Sequence, residues 1–313
     1  MQKSITTLLT NILARNKIVL SKMNKSEQCF KVAIIICWYG EYPWYFPYFI
    51  HSCSFNITID FMIITDNEEH ITNKPKNVKI IFKSLEDIKI SASKKLGFEI
   101  NIDNPYKLCD YKPAYGFLFP EIIEEYDFWG QSDLDIICGN IRSFITEDML
   151  KLYDFISLRH DYTTGCFALY RNNEKMNTFF MRSKDYQLVF ANAKHYCFDE
   201  CNFAWDELTA GQSIFDVKTE IESFTHLIRT AEQTNEIKAH FDFILMEGKT
   251  GRIVFDNGRI IYKNKFEAVL YHLFWLKKIY QPKTTPKTIP DKYYISPTRI
   301  YHSRKQKSKS VGE

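Results

Sequence analysis

The chain has 313 residues, of which 45% are hydrophobic and 16% aromatic, and a formal net charge of +3. That composition can build a substantial core, which argues against a disordered chain, and the near-neutral body argues against a nucleic-acid-binding protein. No apolar run reaches the ~18 residues that a membrane-spanning helix needs, and eight cysteines scattered through apolar stretches read as reduced thiols of a cytosolic protein.

Residues 1–29 carry Leu8, Leu9, Ile12 and Leu13, interrupted by Asn11, Arg15, Asn16 and Lys17. The pattern predicts an amphipathic helix, and the interruptions count against a signal peptide. "KVAIIICW" (31–38) is a continuous apolar run of strand length, followed by Gly40 and an aromatic segment punctuated by prolines. "TIDFMIITDN" (58–67) and "NVKIIFKS" (77–84) repeat the strand plan. "SLEDIKISASKKLG" then predicts a helix, with Ser84 as N-cap, Asp87 in the first turn and Gly97 just past the end.

From 105 to 125, Leu108, Tyr111, Tyr115, Leu118 and Phe119 recur at roughly helical spacing, with Pro113 early enough to be absorbed near a helix start. "DFWGQ" is the next buried strand, "DFISLR" (154–159) and "GCFALYR" (165–171) are two more, and helical stretches follow to about 195. "RIVFDNGRIIY" (252–262) is a hairpin turning at Asp256-Asn257-Gly258. "FEAVLYHLFWLKK" (266–278) fits a buried strand or a short helix, and the pattern leaves both open.

Residues 281–313 hold eight Lys or Arg against Asp291 and Glu313, a local balance of 8 − 2 = +6. A basic, flexible tail is the expectation, either solvated or resting on an anionic membrane surface. Strands alternating with helices predict an α/β fold with a mostly parallel sheet, in one compact domain over 30–280.

"SDLD" ends the central apolar strand. In an extended chain, residues i and i+2 project to one side, so Asp133 and Asp135 would present both carboxylates to one point while Leu134 faces the core. Two carboxylates at a sheet's carboxyl edge suit a hard cation such as Mn²⁺ or Mg²⁺, although a polar turn closing a buried strand would look the same. His195, Cys197 and Cys201 have the look of half a zinc site without a recognisable other half.

These motifs, in this order, resemble the GT-A type glycosyltransferases, across roughly 31–278. "VAIIICWYG" resembles their opening strand into a nucleotide pocket, and "MIITDN" their second strand ending in Thr-Asp, here Thr65 and Asp66. "YKLCDYKPAYG" resembles their polar helix before the metal motif, with Lys107, Asp110 and Lys112; lysine in place of arginine offers a point charge instead of a planar fork. "TTGCFALYRN" resembles the strand lining the sugar pocket, where Gly165 would allow close backbone approach. "CFDECNFAWDE" resembles an acceptor-side acidic motif, with Asp199, Glu200 and Asp206, and "YHLFWLKK" resembles a late metal-completing His, with His272 as third ligand and Lys277 on the diphosphate. The stretch 107–141 is also similar to uncharacterised bacterial proteins of surface polysaccharide synthesis.

The resemblance implies a Rossmann-like nucleotide-diphospho-sugar transferase fold and metal-dependent transfer of a sugar to a hydroxyl of a glycan or lipid-linked acceptor. It implies a nucleotide-diphosphate sugar as donor and Glu200 or Asp206 as base in an inverting enzyme; the reduced thiols place it in the cytoplasm, and the basic tail and N-terminal helix suit the inner face of the membrane. A non-catalytic nucleotide- or carbohydrate-binding protein of the same fold is the alternative. A sugar nucleotidyltransferase is a weaker one, because "CWYGEYPWYF" holds one glycine where a phosphate loop needs several.

Overall fold

A computed structural model describes residues 29–302 apart from 285 and 287. The expected N-terminal helix and the last eleven residues lie outside the described part. Fifteen strands are found among the described residues. The first eight are β1 (Val32–Cys37), β2 (Ile59–Thr65), β3 (Val78–Phe82), β4 (Phe128–Ser132), β5 (Ile136–Cys138), β6 (Phe155–Ser157), β7 (Phe167–Arg171) and β8 (Ala239–Phe241). The others are β9 (Leu245–Met246), β10 (Ile253–Asp256), β11 (Arg259–Tyr262), β12 (Phe266–Ala268), β13 (Leu270–His272), β14 (Lys292–Ile295) and β15 (Ile300–Tyr301).

The main sheet runs β3-β2-β1-β4-β7-β6-β8. Only β7 runs against the rest, so the expected mostly parallel α/β sheet is present. Its central strands are apolar on both faces because helical segments cover both, the condition under which parallel strands read as unbroken hydrophobic runs. Since β1, β2 and β4 are parallel neighbours, the residues that follow them gather along one carboxyl edge.

Trp129 faces Tyr170 across β4 and β7, and their rings stack 4.0 Å apart. Gly116 admits that indole: a Cβ there would lie 2.5 Å from the ring. The helix α1 (Phe46–Cys53) follows the first strand, and α2 (Leu85–Leu96) has the expected ends. Ser84 and Asp87 form a reciprocal capping box, and Gly97 takes the left-handed conformation at φ 80.

Three expectations need correction. The segment 105–125 is no single helix but five short pieces, from Pro105–Lys107 to Pro120–Ile123, because Pro113 and Pro120 each remove a backbone donor. The stretch 266–278 is neither one strand nor one helix; it divides into β12, β13 and a short turn of helix at Leu276–Ile279.

The third concerns the tail, which does not begin at 281. β14 and β15 complete a five-stranded antiparallel sheet, β12-β11-β10-β14-β15, and Tyr293 and Ile295 are buried against it. Phe255 and Tyr293 stack 4.7 Å apart across the β10–β14 pair. The basic residues hid an alternating strand, in which Lys292 turns outward to pair with Asp256. The expected hairpin is present, with Asn257 and Gly258 both at positive φ in a two-residue turn.

Candidate functional site

Asp133 follows β4, where its amide donates to Cys166 O at 3.1 Å. The chain bends at Leu134 instead of running on extended, and Leu134 is buried as expected. β5 then pairs antiparallel with β13, with Ile136 opposite His272, and Leu273 N donates to Asp135 O at 2.8 Å. That register carries a distant histidine to the acidic pair. His272 Nε2 lies 3.4 Å from Asp135 Oδ2 and 3.9 Å from Asp133 Oδ2, and one ligand atom from each residue falls within 4.8 Å of the others.

Two lysines neutralise the carboxylates, one on each aspartate. Lys112 Nζ is 2.5 Å from Asp133 Oδ1 and Lys277 Nζ is 2.6 Å from Asp135 Oδ2. The latter contact is misaligned, so Asp135 Oδ2 is buried without a well-directed hydrogen bond. Burial would push the Asp135 carboxyl up, but His272 and Lys277 hold it well below the usual carboxylate range. Burial opposes a charge on His272 in turn, and Cys166 and Asp135 overcome it, raising the imidazole well above its ordinary value.

Lys112 also reaches the other acidic element. Its Nζ donates to Gly165 O at 2.9 Å and lies 3.6 Å from Asp199 Oδ2. The Gly165 amide donates to Glu200 Oε1 at 2.9 Å, and Trp205 Nε1 donates to Glu200 Oε2 at 2.6 Å. A Cβ on Gly165 would sit 2.5 Å from Asp199 Oδ2, so the packing of Asp199 against this backbone leaves no room for a side chain. Burial pushes the Asp199 carboxyl well above the usual range, with Glu200 adding to it against the pull of Lys112.

The Thr163 hydroxyl donates to Asp199 O, and the Thr225 hydroxyl to Glu200 O, which fixes this backbone. Cys197, Asn202 and Phe203 all take positive φ, at 52°, 52° and 67°. For side-chain-bearing residues such geometry costs ~1–3 kcal/mol each and collects at functional sites.

Other expected residues stand elsewhere. Lys107 is buried and spends its donors on Asp110, Val189 O and Lys194 O, while Asp110 also accepts from the Tyr196 and Phe198 amides and faces His195. This pair anchors the 189–198 segment, which leaves Lys107 no proton to offer a phosphate. Asp66 accepts from Gly40 N at 2.9 Å and so ties the loop after β1 to the end of β2, where Thr65 is buried. Asp206 is exposed in the first turn of α3 (Trp205–Thr209), a position that suits the helix dipole and is one the lysine-bridged cluster does not use. Cys197 bonds Glu200 and His195 turns to Asp110, so the half-zinc arrangement does not form. Among the described residues, the aspartate pair with His272 is the one cluster of metal-ligand geometry.

Sequence reasoning missed Arg159, Asp161 and Glu247, which form an ion-pair group beside His272. Arg159 and Asp161 pair locally, two residues apart, but no local pattern marks Glu247, which reaches Arg159 and His272 only through the fold.

A family model matches residues 34–304, the greater part of the chain. The chain belongs to a family of unknown function, DUF6625. No curated protein matches it in sequence. Among solved structures it is similar to the galactosyltransferase LgtC in complex with donor and acceptor sugar analogs, at 12% identity and a TM-score of 0.34, over 52% of this chain and 66% of that one. An active-site mutant of LgtC gives 10% and 0.38, over 77% and 86%. Apo glycosyltransferase GlyE of Streptococcus pneumoniae TIGR4 gives 10% and 0.33, over 67% and 44%. Overlaps this loose leave the fold to the strand order and the site to its own geometry.

Proposed function

We propose that this protein is a divalent-metal-dependent glycosyltransferase that moves a sugar from a nucleotide-diphosphate donor to a hydroxyl of a glycan or lipid-linked oligosaccharide. The observation that carries the reading is the convergence of Asp133, Asp135 and His272 at the carboxyl edge of a parallel sheet, flanked by Lys112 and Lys277. The donor set fits a metal: two carboxylate oxygens and an imidazole nitrogen within 4.8 Å, one oxygen buried without an aligned partner. The imidazole favours Mn²⁺ over Mg²⁺. When bound, the ion would neutralise charge building on the leaving diphosphate.

The chain's own groups supply the rest. Lys277, whose side chain is about one-third exposed, can leave Asp135 and meet the diphosphate. Lys112 is buried and stays as the fixed cation that holds Asp133 and the Gly165 carbonyl in place. Glu200 is the proposed base of an inverting reaction, since it is aimed by the Gly165 amide and Trp205 into the same cluster. The acceptor class that this reading takes is a bacterial surface polysaccharide, handled at the cytoplasmic face of a membrane.

Calorimetric titration of UDP, GDP and CMP, with and without Mn²⁺, tests the reading. One nucleotide is expected to bind only with metal, and Asp135→Asn to abolish that binding. A second reading, metal-free binding of a nucleotide or sugar by a protein without turnover, is favoured by the lysines that already neutralise both aspartates. Binding that is indifferent to Mn²⁺ and to Asp135→Asn would select it.

A further inference from the structure

Arg159 is buried and fully engaged. Its Nε donates to Asp161 Oδ1 at 2.8 Å and its Nη2 to Thr209 Oγ1 at 3.2 Å, while Nη1 pairs with Glu247 Oε1. Glu247 is therefore held by one oxygen. Its other oxygen, Oε2, lies 3.8 Å from His272 Nδ1, on the ring edge opposite the aspartates. Strand register explains the meeting. β9 runs parallel to β13 with Met246 beside Tyr271, so Glu247, the first residue past β9, comes beside His272. His272 Nδ1 is buried without an aligned partner, and a small rotation of the Glu247 carboxylate would give it one.

We infer that Glu247 is a positioning residue: it holds the proton of His272 on Nδ1 and turns Nε2 toward the aspartates, with Arg159 as its anchor. The inference rests on the metal reading of Asp133, Asp135 and His272. Its physical ground is general. An imidazole ligates through one nitrogen only in the right tautomer, and a carboxylate accepting from the other nitrogen selects that tautomer and fixes the ring. The protein has spent a buried arginine, a second carboxylate and the Thr209 hydroxyl on fixing one glutamate, more than a surface ion pair receives.

Glu247→Gln keeps the size of the side chain and an oxygen for Arg159 and removes the anion. Titration of Mn²⁺ alone, followed by the spin-resonance signal of the free ion, should show about 10- to 100-fold weaker binding than in the wild-type chain. The unfolding midpoint without metal should change little, because Asp161 still pairs with Arg159. Equal Mn²⁺ affinity in variant and wild type would overturn the role of Glu247 and leave the metal reading standing. A wild-type chain that binds no Mn²⁺ would overturn both. The wild-type chain gives a second readout that does not depend on the variant folding. With Mg²⁺ bound, long-range proton–nitrogen correlation of the His272 ring should find the proton on Nδ1, and a proton on Nε2 would overturn the proposal.

Discussion

The Gly165 amide donates to Glu200 Oε1 at 2.9 Å while its carbonyl accepts from Lys112, so one residue's backbone links the Glu200 carboxylate to the cation beside Asp133. Nothing larger than hydrogen fits at this position. Gly165→Ala would drive its methyl into Asp199 and Glu200, both held from behind by Thr163 and Thr225. Sugar transfer is expected to fall by about 100-fold, the usual scale for an ångström of misplacement, with nucleotide affinity nearly unchanged. Steady-state rates beside a binding isotherm check it, and a parallel loss of nucleotide affinity would show that Gly165 serves the donor side instead.

Asp110 should govern stability in acid. Burial pushes its carboxyl up, but His195 and Lys107 bring it below its ordinary value in the folded protein. A depressed folded-state value means that its stabilisation is present above the unfolded value of about 4 and is lost as pH falls through the folded one. Asp110→Asn leaves Lys107 buried without its anion and should cost ~3–5 kcal/mol at neutral pH. The variant should also lose part of the acid limb of the stability curve. Denaturant titrations from pH 7 to pH 3 measure both, and a variant that parallels wild type throughout would show that the pair contributes nothing.

Truncation separates the strand-forming residues of the basic C-terminal region from residues 303–313. Ending the chain at Tyr280 removes β14 and β15, exposes the edge of β10 and strips Tyr293 from Phe255. That variant should aggregate or unfold early, as an uncovered strand edge does. Ending it at His302 keeps every described strand and should leave the melting temperature unchanged. Only the second variant can test attachment to anionic liposomes, because in the first a loss of binding would follow from a loss of fold.

Much of this was legible in sequence, for local reasons. Apolar runs of strand length marked β1, β2, β3 and β4, and the Ser84, Asp87 and Gly97 signals marked both ends of α2. Asn257-Gly258 fixed the hairpin. The Asp133–Asp135 pair stood out because it ends a buried strand, and His272 entered through resemblance alone. Hidden were contacts set by pairing between distant strands. Nothing near Glu247 announces Arg159 or His272, and the buried role of Lys107 depends on carbonyls of a segment far along the chain. The alternation of "KYYI" was masked by the charge around it, since composition averages over a window and a four-residue strand does not.

The pairing of β5 with β13 also sets an order of events during synthesis. The aspartates leave the ribosome more than a hundred residues ahead of Glu247, His272 and Lys277, and β9 and β13 cannot dock until those residues follow. A nascent or C-terminally clipped molecule therefore carries the acidic pair without its histidine or its late lysine. Such a molecule keeps Lys112 but lacks the other two of the three groups that compensate the carboxylates at the end of its central strand, so on the proposed function ion capture would wait for the later strands.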